Sequence, residues 1–248
     1  MNRRMFLIGT GVAAFAPPAY AVAQNQTPDA LETSVAELER ELSTLRAAGK
    51  PIPSGRIASR LETGLTDRDR RVAAFRIIQN IPYRLTAWTG DPDSLFANGR
   101  GDCRHKSAAL LRLMRAWRFD ARPIQLVFDW ADLPIPKAVL APLAETRGFH
   151  DTVEVRINGK MTLVDPTWDP VLGKAGFPFL ANWDGIEPTP AIAPRANVAI
   201  RQGDFKAGTD LYAHFGIRWP ERSRTLAFNR AFNAWTDQLR AGENSVKG

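Results

Sequence analysis

The dipeptide Asn158-Gly159 constrains this chain more than any other pair of residues. It separates two strand-like runs, "FHDTVEVRI" and "KMTLVDPTW". Both turn positions tolerate positive φ, so the runs are predicted to pair as an antiparallel hairpin closed by two residues. Such a turn fixes the register: Ile157 opposes Lys160, Thr152 opposes Asp165, and His150 opposes Thr167. Alternation then places His150, Thr152, Glu154, Met161, Leu163, Asp165 and Thr167 on one face, and Val153, Val155, Ile157 and Val164 on the other. His150 and Asp165 become diagonal neighbours with Cα atoms about 7–8 Å apart, a gap their side chains can span. Asp151 points to the opposite face, Glu154 lies two pairs nearer the turn, and Asp169 falls beyond the strand. Asp165 is therefore the carboxylate best placed to orient His150.

The rest of the chain is read from periodicity. Leu31, Val35, Leu38, Leu42 and Leu45 mark a helix over 28–48, and "GKPIPSG" at 49–55 breaks it. A short coiled-coil contact is the other reading of that stripe. A second helix spans about 67–80 with Val72, Phe75 and Ile78 inward, ending before Pro82. A loop with a short turn at 92–97 leads into a third helix over 103–118, whose stripe reads Cys103, Ser107, Leu110, Leu111, Met114 and Trp117. Residues 121–130 read as a strand, 131–148 as an irregular apolar insertion leading into His150, 187–194 as a Pro-rich loop, and 221–241 as a helix docked through Phe228, Phe232, Trp235 and Leu239. Helices followed by antiparallel strands give an α+β fold. The domains expected are a leader at 1–23, a helical extension at 24–60, a core at 61–185, and a Pro-rich loop with a docking helix at 186–248.

The first residues read as a secretory leader: Arg3 and Arg4, an apolar run from Met5 to Ala16, then small residues ending in Ala-x-Ala. The run is too short to span a bilayer with ease, and Arg-Arg-x-Phe-Leu fits a twin-arginine signal. An uncleaved anchor is the alternative. Cleavage removes two arginines, so a formal charge of +7 less 2 leaves +5. A periplasmic or secreted location follows, with no stable membrane insertion after cleavage. The surplus positive charge serves solubility, and an affinity for anionic envelope polymers is the other reading. The basic residues are mixed with acids, as in "DRDRR" at 67–71, and no nucleic-acid module is visible.

A single cysteine cannot form an internal disulfide, and a free thiol is a liability in an oxidising compartment. It persists because it is buried or because it is used. Cys103 follows "NGRGD" at the start of a helix, where unpaired amides and the helix dipole favour thiolate. Gly99 and Gly101 allow the sharp entry and leave room for a substrate backbone. The Cys103 amide is placed to donate to an oxyanion. His105 lies about 200° round the helix and reads as structural or surface. Lys106, three positions on and nearer the thiol's side, reads as solvated, with tuning of the thiol as the other reading, and His214 reads as structural. The tripeptide "RGD" at 100–102 reads as the helix lead-in rather than an adhesion signal. One Cys and three His show no zinc spacing, so no metal and no cofactor is expected.

Two segments, "LFANGRGDCRHKSAALLRLMRAWRFDARPI" and "FHDTVEVRINGKMTLVDPTWDP", together resemble the transglutaminase-like superfamily, in particular bacterial transglutaminase-like cysteine peptidases and amidases. The similarity covers about residues 70–170. It implies a papain-like transglutaminase-core fold, with Cys103 as nucleophile, His150 as base and Asp165 as the orienting acid. Many members carry an aromatic residue two places after the histidine, where Thr152 stands here. Members also use an upstream residue to assist the oxyanion; Gln79, Tyr83 and Trp88 are the candidates.

The expected reaction is attack of the Cys103 thiolate on a peptide or side-chain amide, through a thioester. No amine site is legible, which favours hydrolysis over protein-crosslinking transamidation. Two other readings remain: a non-catalytic envelope protein that binds peptide or cell wall on the same fold, and acyl transfer from a thioester donor as in arylamine acetyltransferases. The expected partner is a peptide or protein substrate or a cell-envelope component, with no nucleic acid.

Overall fold

The computed structural model describes residues 29–87 and 90–246, so the leader assigned to 1–23 lies outside the described residues. Helix α1 (Ala30–Ala47) begins at Asp29, whose side chain accepts from the Leu31 amide, and buries Val35, Leu38 and Leu42. Helix α2 (Ser54–Glu62) was not expected from the sequence. Its nine residues bury Ile57, Ala58 and Leu61, too short a stripe to stand out beside the break that precedes it. Helix α3 (Asp67–Asn80) is capped by Thr66, which accepts from the Asp69 amide. It stops because Ile81 precedes a proline and is driven to extended backbone, φ −70° and ψ 126°. A 3₁₀ turn (Pro92–Ser94) and helix α4 (Leu95–Asn98) end at Gly99, whose φ of +59° suits glycine.

Helix α5 (Cys103–Ala116) follows, capped by Asp102. Its buried residues are His105, Lys106, Ala109, Leu110, Leu113 and Met114, whereas Ser107 and Leu111 are only partly buried. The stripe expected from Cys103 is therefore displaced by a fraction of a turn, because α5 is enclosed on more than one side. Strand β1 (Ala121–Asp129) is followed by helix α6 (Lys137–Leu140) and strand β2 (Arg147–Ile157). Strand β3 (Lys160–Val164), helix α7 (Pro170–Lys174), strand β4 (Val198–Arg201), helix α8 (Leu211–His214) and helix α9 (Arg222–Val246) complete the order.

The sheet is antiparallel in the order β3-β2-β1-β4. The hairpin keeps the expected register from Ile157–Lys160 to Val153–Val164, but the ladder ends there. The expected pairs Thr152–Asp165 and His150–Thr167 do not form, because β3 stops at Val164, before Pro166. Asn158 and Gly159 take φ of +50° and +81°. Val153, Val155, Ile157 and Val164 pack in one apolar cluster with Ala109, Leu110, Leu113 and Met114 of α5 and with the buried faces of α1, α2 and α3. A second cluster is largely aromatic: Tyr83, Phe128, Trp168, Phe177, Phe228 and Phe232, with Cys103 packed against it. Helix α9 docks there, as its Phe228–Phe232 pattern implied. The fold class is α+β, as expected.

Gly101 sits where a Cβ would lie 2.6 Å from His105 Cβ and 2.9 Å from Leu95 Cδ1. We expect Gly101→Ala to cost about 1–3 kcal/mol through overpacking, read as a drop of several degrees in thermal midpoint. An unchanged midpoint would show that the lead-in to α5 yields freely.

Candidate active site

Three stretches meet at one cleft of about 490 Å³, lined among others by Tyr83, Leu85, Asp102, Cys103, Phe128, Trp130, Phe149 and His150. Cys103 enters it because Asp102 starts α5 there. Asp102 is buried and takes hydrogen bonds from the Arg104 amide at 3.1 Å, Thr86 Oγ1 at 2.6 Å and His105 Nδ1 at 2.8 Å. Burial alone would raise its pKa, but the bonds from His105, Arg104 and Thr86 outweigh that and hold the carboxyl well below the usual carboxylate range. Asp102 is thus an internal cap, in keeping with its reading as helix lead-in. His105 is buried by the same bond, so the surface alternative for it does not hold.

His150 is fully buried, and its Nε2–H donates to Asp165 Oδ2 at 2.8 Å. The other Asp165 oxygen, Oδ1, accepts from the Thr167 amide at 3.1 Å, and the Asp165 amide donates to Thr189 Oγ1 at 2.8 Å. The remaining imidazole nitrogen, Nδ1, is buried without a hydrogen-bond partner among the described residues. Burial pushes the His150 pKa down more strongly than any other single influence. The Asp165 carboxylate, by charge and hydrogen bond, and the neighbouring Cys103 together reverse this and lift it to about 10. The other carboxylates are engaged elsewhere: Glu154 with Arg122 and Arg201, Asp151 with Gln125, and Asp169 with Arg240 and the Tyr83 amide.

Of the three upstream candidates, Tyr83 lines the cleft. It is buried, and burial raises its phenol well above the ordinary range; Cys103 and Asp102 add to this, and a hydrogen bond with the Cys103 backbone opposes it. The hydroxyl therefore remains a donor at working pH. Gln79 is buried within α3 and is not among the residues lining the cleft; Trp88 lies outside the described residues. Residues 83–86 run extended along α9. Arg240 donates to the Tyr83 carbonyl, Asn233 bonds both the amide and the carbonyl of Leu85, and Asn229 donates to the Thr86 carbonyl. Nothing in the sequence pointed to these polar residues; the sign available was Asn and Arg recurring at helical spacing beside Phe228 and Phe232.

Lys106, expected to be solvated, is fully buried. Its Nζ donates to the carbonyls of Gln79 at 3.1 Å and Pro166 at 3.3 Å, tying α5 to α3 and to the turn that carries Asp165. Burial lowers its pKa to about 7 against the pull of Asp169 and Asp165. A neutral amine still offers two N–H groups for these two carbonyls.

The two buried bases act on stability in opposite directions. His150, raised, contributes stability that is complete below its unfolded value of 6.5 and lost as pH rises through about 10. Lys106, lowered, is neutral in the native state above about 7 while the unfolded chain stays protonated to 10.5, so its contribution grows with pH across that window. Lys106→Met is therefore expected to fall behind wild type between pH 7 and 10, by about 1.4 kcal/mol per pH unit in urea unfolding. An offset that does not change with pH would contradict this.

Among described residues no cluster of His, Cys, Asp and Glu is arranged to hold a metal ion, and no helix is long and apolar enough to cross a membrane. Compared with known protein families, residues 55–166 match the transglutaminase-like superfamily core, a stretch that contains Cys103, His150 and Asp165. No curated protein and no solved structure matches the chain. Cysteine-dependent acyl transfer is the chemistry that this superfamily suggests.

Proposed function

For a chain carrying a transglutaminase-like superfamily core, we propose an exported thiol acyl-transfer enzyme that hydrolyses an amide. The observation that carries this reading is the buried His150–Asp165 pair, whose free Nδ1 shares the cleft with Cys103. A buried charge of this kind is costly unless the site uses it. In the resting site the Cys103 proton already sits on His150, giving a thiolate beside an imidazolium that Asp165 holds in place. The thiolate attacks the amide carbonyl; Tyr83, which lines the cleft beside Cys103, and the Cys103 amide are the donors assigned to the developing oxyanion. The C–N bond breaks as His150 returns its proton to the leaving amine or ammonia, leaving a thioester. Water, giving its proton to His150, then attacks the thioester and releases the acid and the thiol.

Support for export is the leader-like run at 1–23. A peptide or protein, or a cell-envelope component, is the expected substrate.

Cys103→Ala is expected to abolish amide cleavage, and Asp165→Asn to lower kcat by about 10³–10⁴ with little change in KM. The assay follows ammonia or amine release from a peptide library, with and without a primary amine present. Crosslinked product formed at the expense of hydrolysis would turn the assignment to transamidation. A full envelope phenotype retained by Cys103→Ala would turn it to binding.

A further inference from the structure

One wall of the cleft is apolar and continuous with the thiol. Cys103, Leu85, Trp130 and Leu143 pack against one cluster that includes buried Phe128 and Phe228. Trp130 lies edge-on to Phe128, with ring centroids at 4.9 Å, and to Phe228, at 5.1 Å; Phe128 also lies edge-on to the His150 ring at 6.1 Å. Trp130, Leu85 and Leu143 are half-buried, and each lines the cleft. They come from three separate segments: Leu85 from the stretch held along α9, Trp130 from the 3₁₀ turn after β1, and Leu143 from the insertion before β2. The carboxylates on the same cleft are already engaged within the chain: Asp102 by Arg104, Glu145 by Arg147, Asp151 by Gln125 and Asp210 by Trp219 Nε1. An apolar side chain gains on the apolar wall by covering exposed ring and methyl surface.

We propose that this apolar wall is a specificity pocket: the enzyme selects amides whose acyl portion carries a bulky apolar or aromatic side chain, seated against Trp130, Leu85 and Leu143. The proposal rests on the acyl-transfer reading, because continuity with the Cys103 thiol is what assigns the pocket to the acyl donor. The cleft volume of about 490 Å³ admits a side chain of that size together with the peptide backbone beside it. It also makes Trp130 and Leu143 the residues that determine specificity, and places them in segments next to the hairpin rather than in it.

The test uses covalent probes, so it does not depend on knowing the substrate. Alkylation of Cys103 is followed by intact-mass spectrometry with iodoacetamide, N-benzyl iodoacetamide and N-iodoacetylglycine, each rate being divided by the rate with free cysteine. The N-benzyl probe is expected to react about 10–100-fold faster than iodoacetamide on this scale, and N-iodoacetylglycine no faster than iodoacetamide. Trp130→Ala and, separately, Leu143→Ser are expected to bring the N-benzyl to iodoacetamide ratio back toward one. Equal rates for all three probes, an advantage for the carboxylate probe, or a ratio untouched in both variants would overturn the specificity pocket and leave acyl transfer standing. A Cys103 inert to every probe would overturn the acyl-transfer reading and the pocket with it.

Discussion

The buried pair between His150 and Asp165 is the interaction on which the rest of this molecule turns. Its side chains are 1% and 2% exposed and 2.8 Å apart. An imidazolium and a carboxylate so far from water stabilise little by themselves and become a liability if either loses its partner. The surroundings accordingly hold both. Asp165 stands one residue beyond the β3 ladder, and the Pro-rich stretch fixes it there: the Thr189 amide donates to the Leu163 carbonyl, and the Thr189 hydroxyl accepts from the Asp165 amide. Trp168 Nε1 donates to the Ile192 carbonyl and fastens the same stretch from the other side.

Beneath the pair, Lys106 bonds the Gln79 and Pro166 carbonyls, so the helix bearing Cys103 is tied both to α3 and to the turn bearing Asp165. Above it, α9 does for residues 83–86 what a neighbouring strand would do in a sheet. The Asn233 side-chain amide pairs with both Leu85 backbone groups, and Asp169, itself held by Arg240, takes the Tyr83 amide. Side chains from a C-terminal helix thus satisfy the backbone of the cleft wall. Those side chains lie beyond the stretch that matches the superfamily, at residues 55–166.

Much of this is legible in the sequence, and the reason is local. Asn158-Gly159 dictates the register up to Val153–Val164 by turn geometry, which points Asp165 toward His150; the last step, holding Asp165 there, depends on Thr189 and is not legible locally. Asp102 before Cys103 is likewise a short-range signal of a helix start. Lys106 misleads because a lysine near a helix start ordinarily reaches water; here two backbone carbonyls from distant segments receive it instead. Helices α2, α7 and α8 and strand β4 escape sequence reading because segments of four to nine residues carry less than three turns or two alternations of pattern. The hold of α9 on residues 83–86 spans more than 140 residues of chain, and such pairings leave no periodic trace.

The central claim is that Cys103 and His150 work as an ion pair within one relay. The most direct test is the rate of Cys103 alkylation by iodoacetamide against pH, in wild type and in His150→Ala. A rate that stays high well below pH 7 in wild type, and falls there in the variant, is the result this account expects. A single rise near the ordinary thiol value of about 8.5, the same in both proteins, would contradict it.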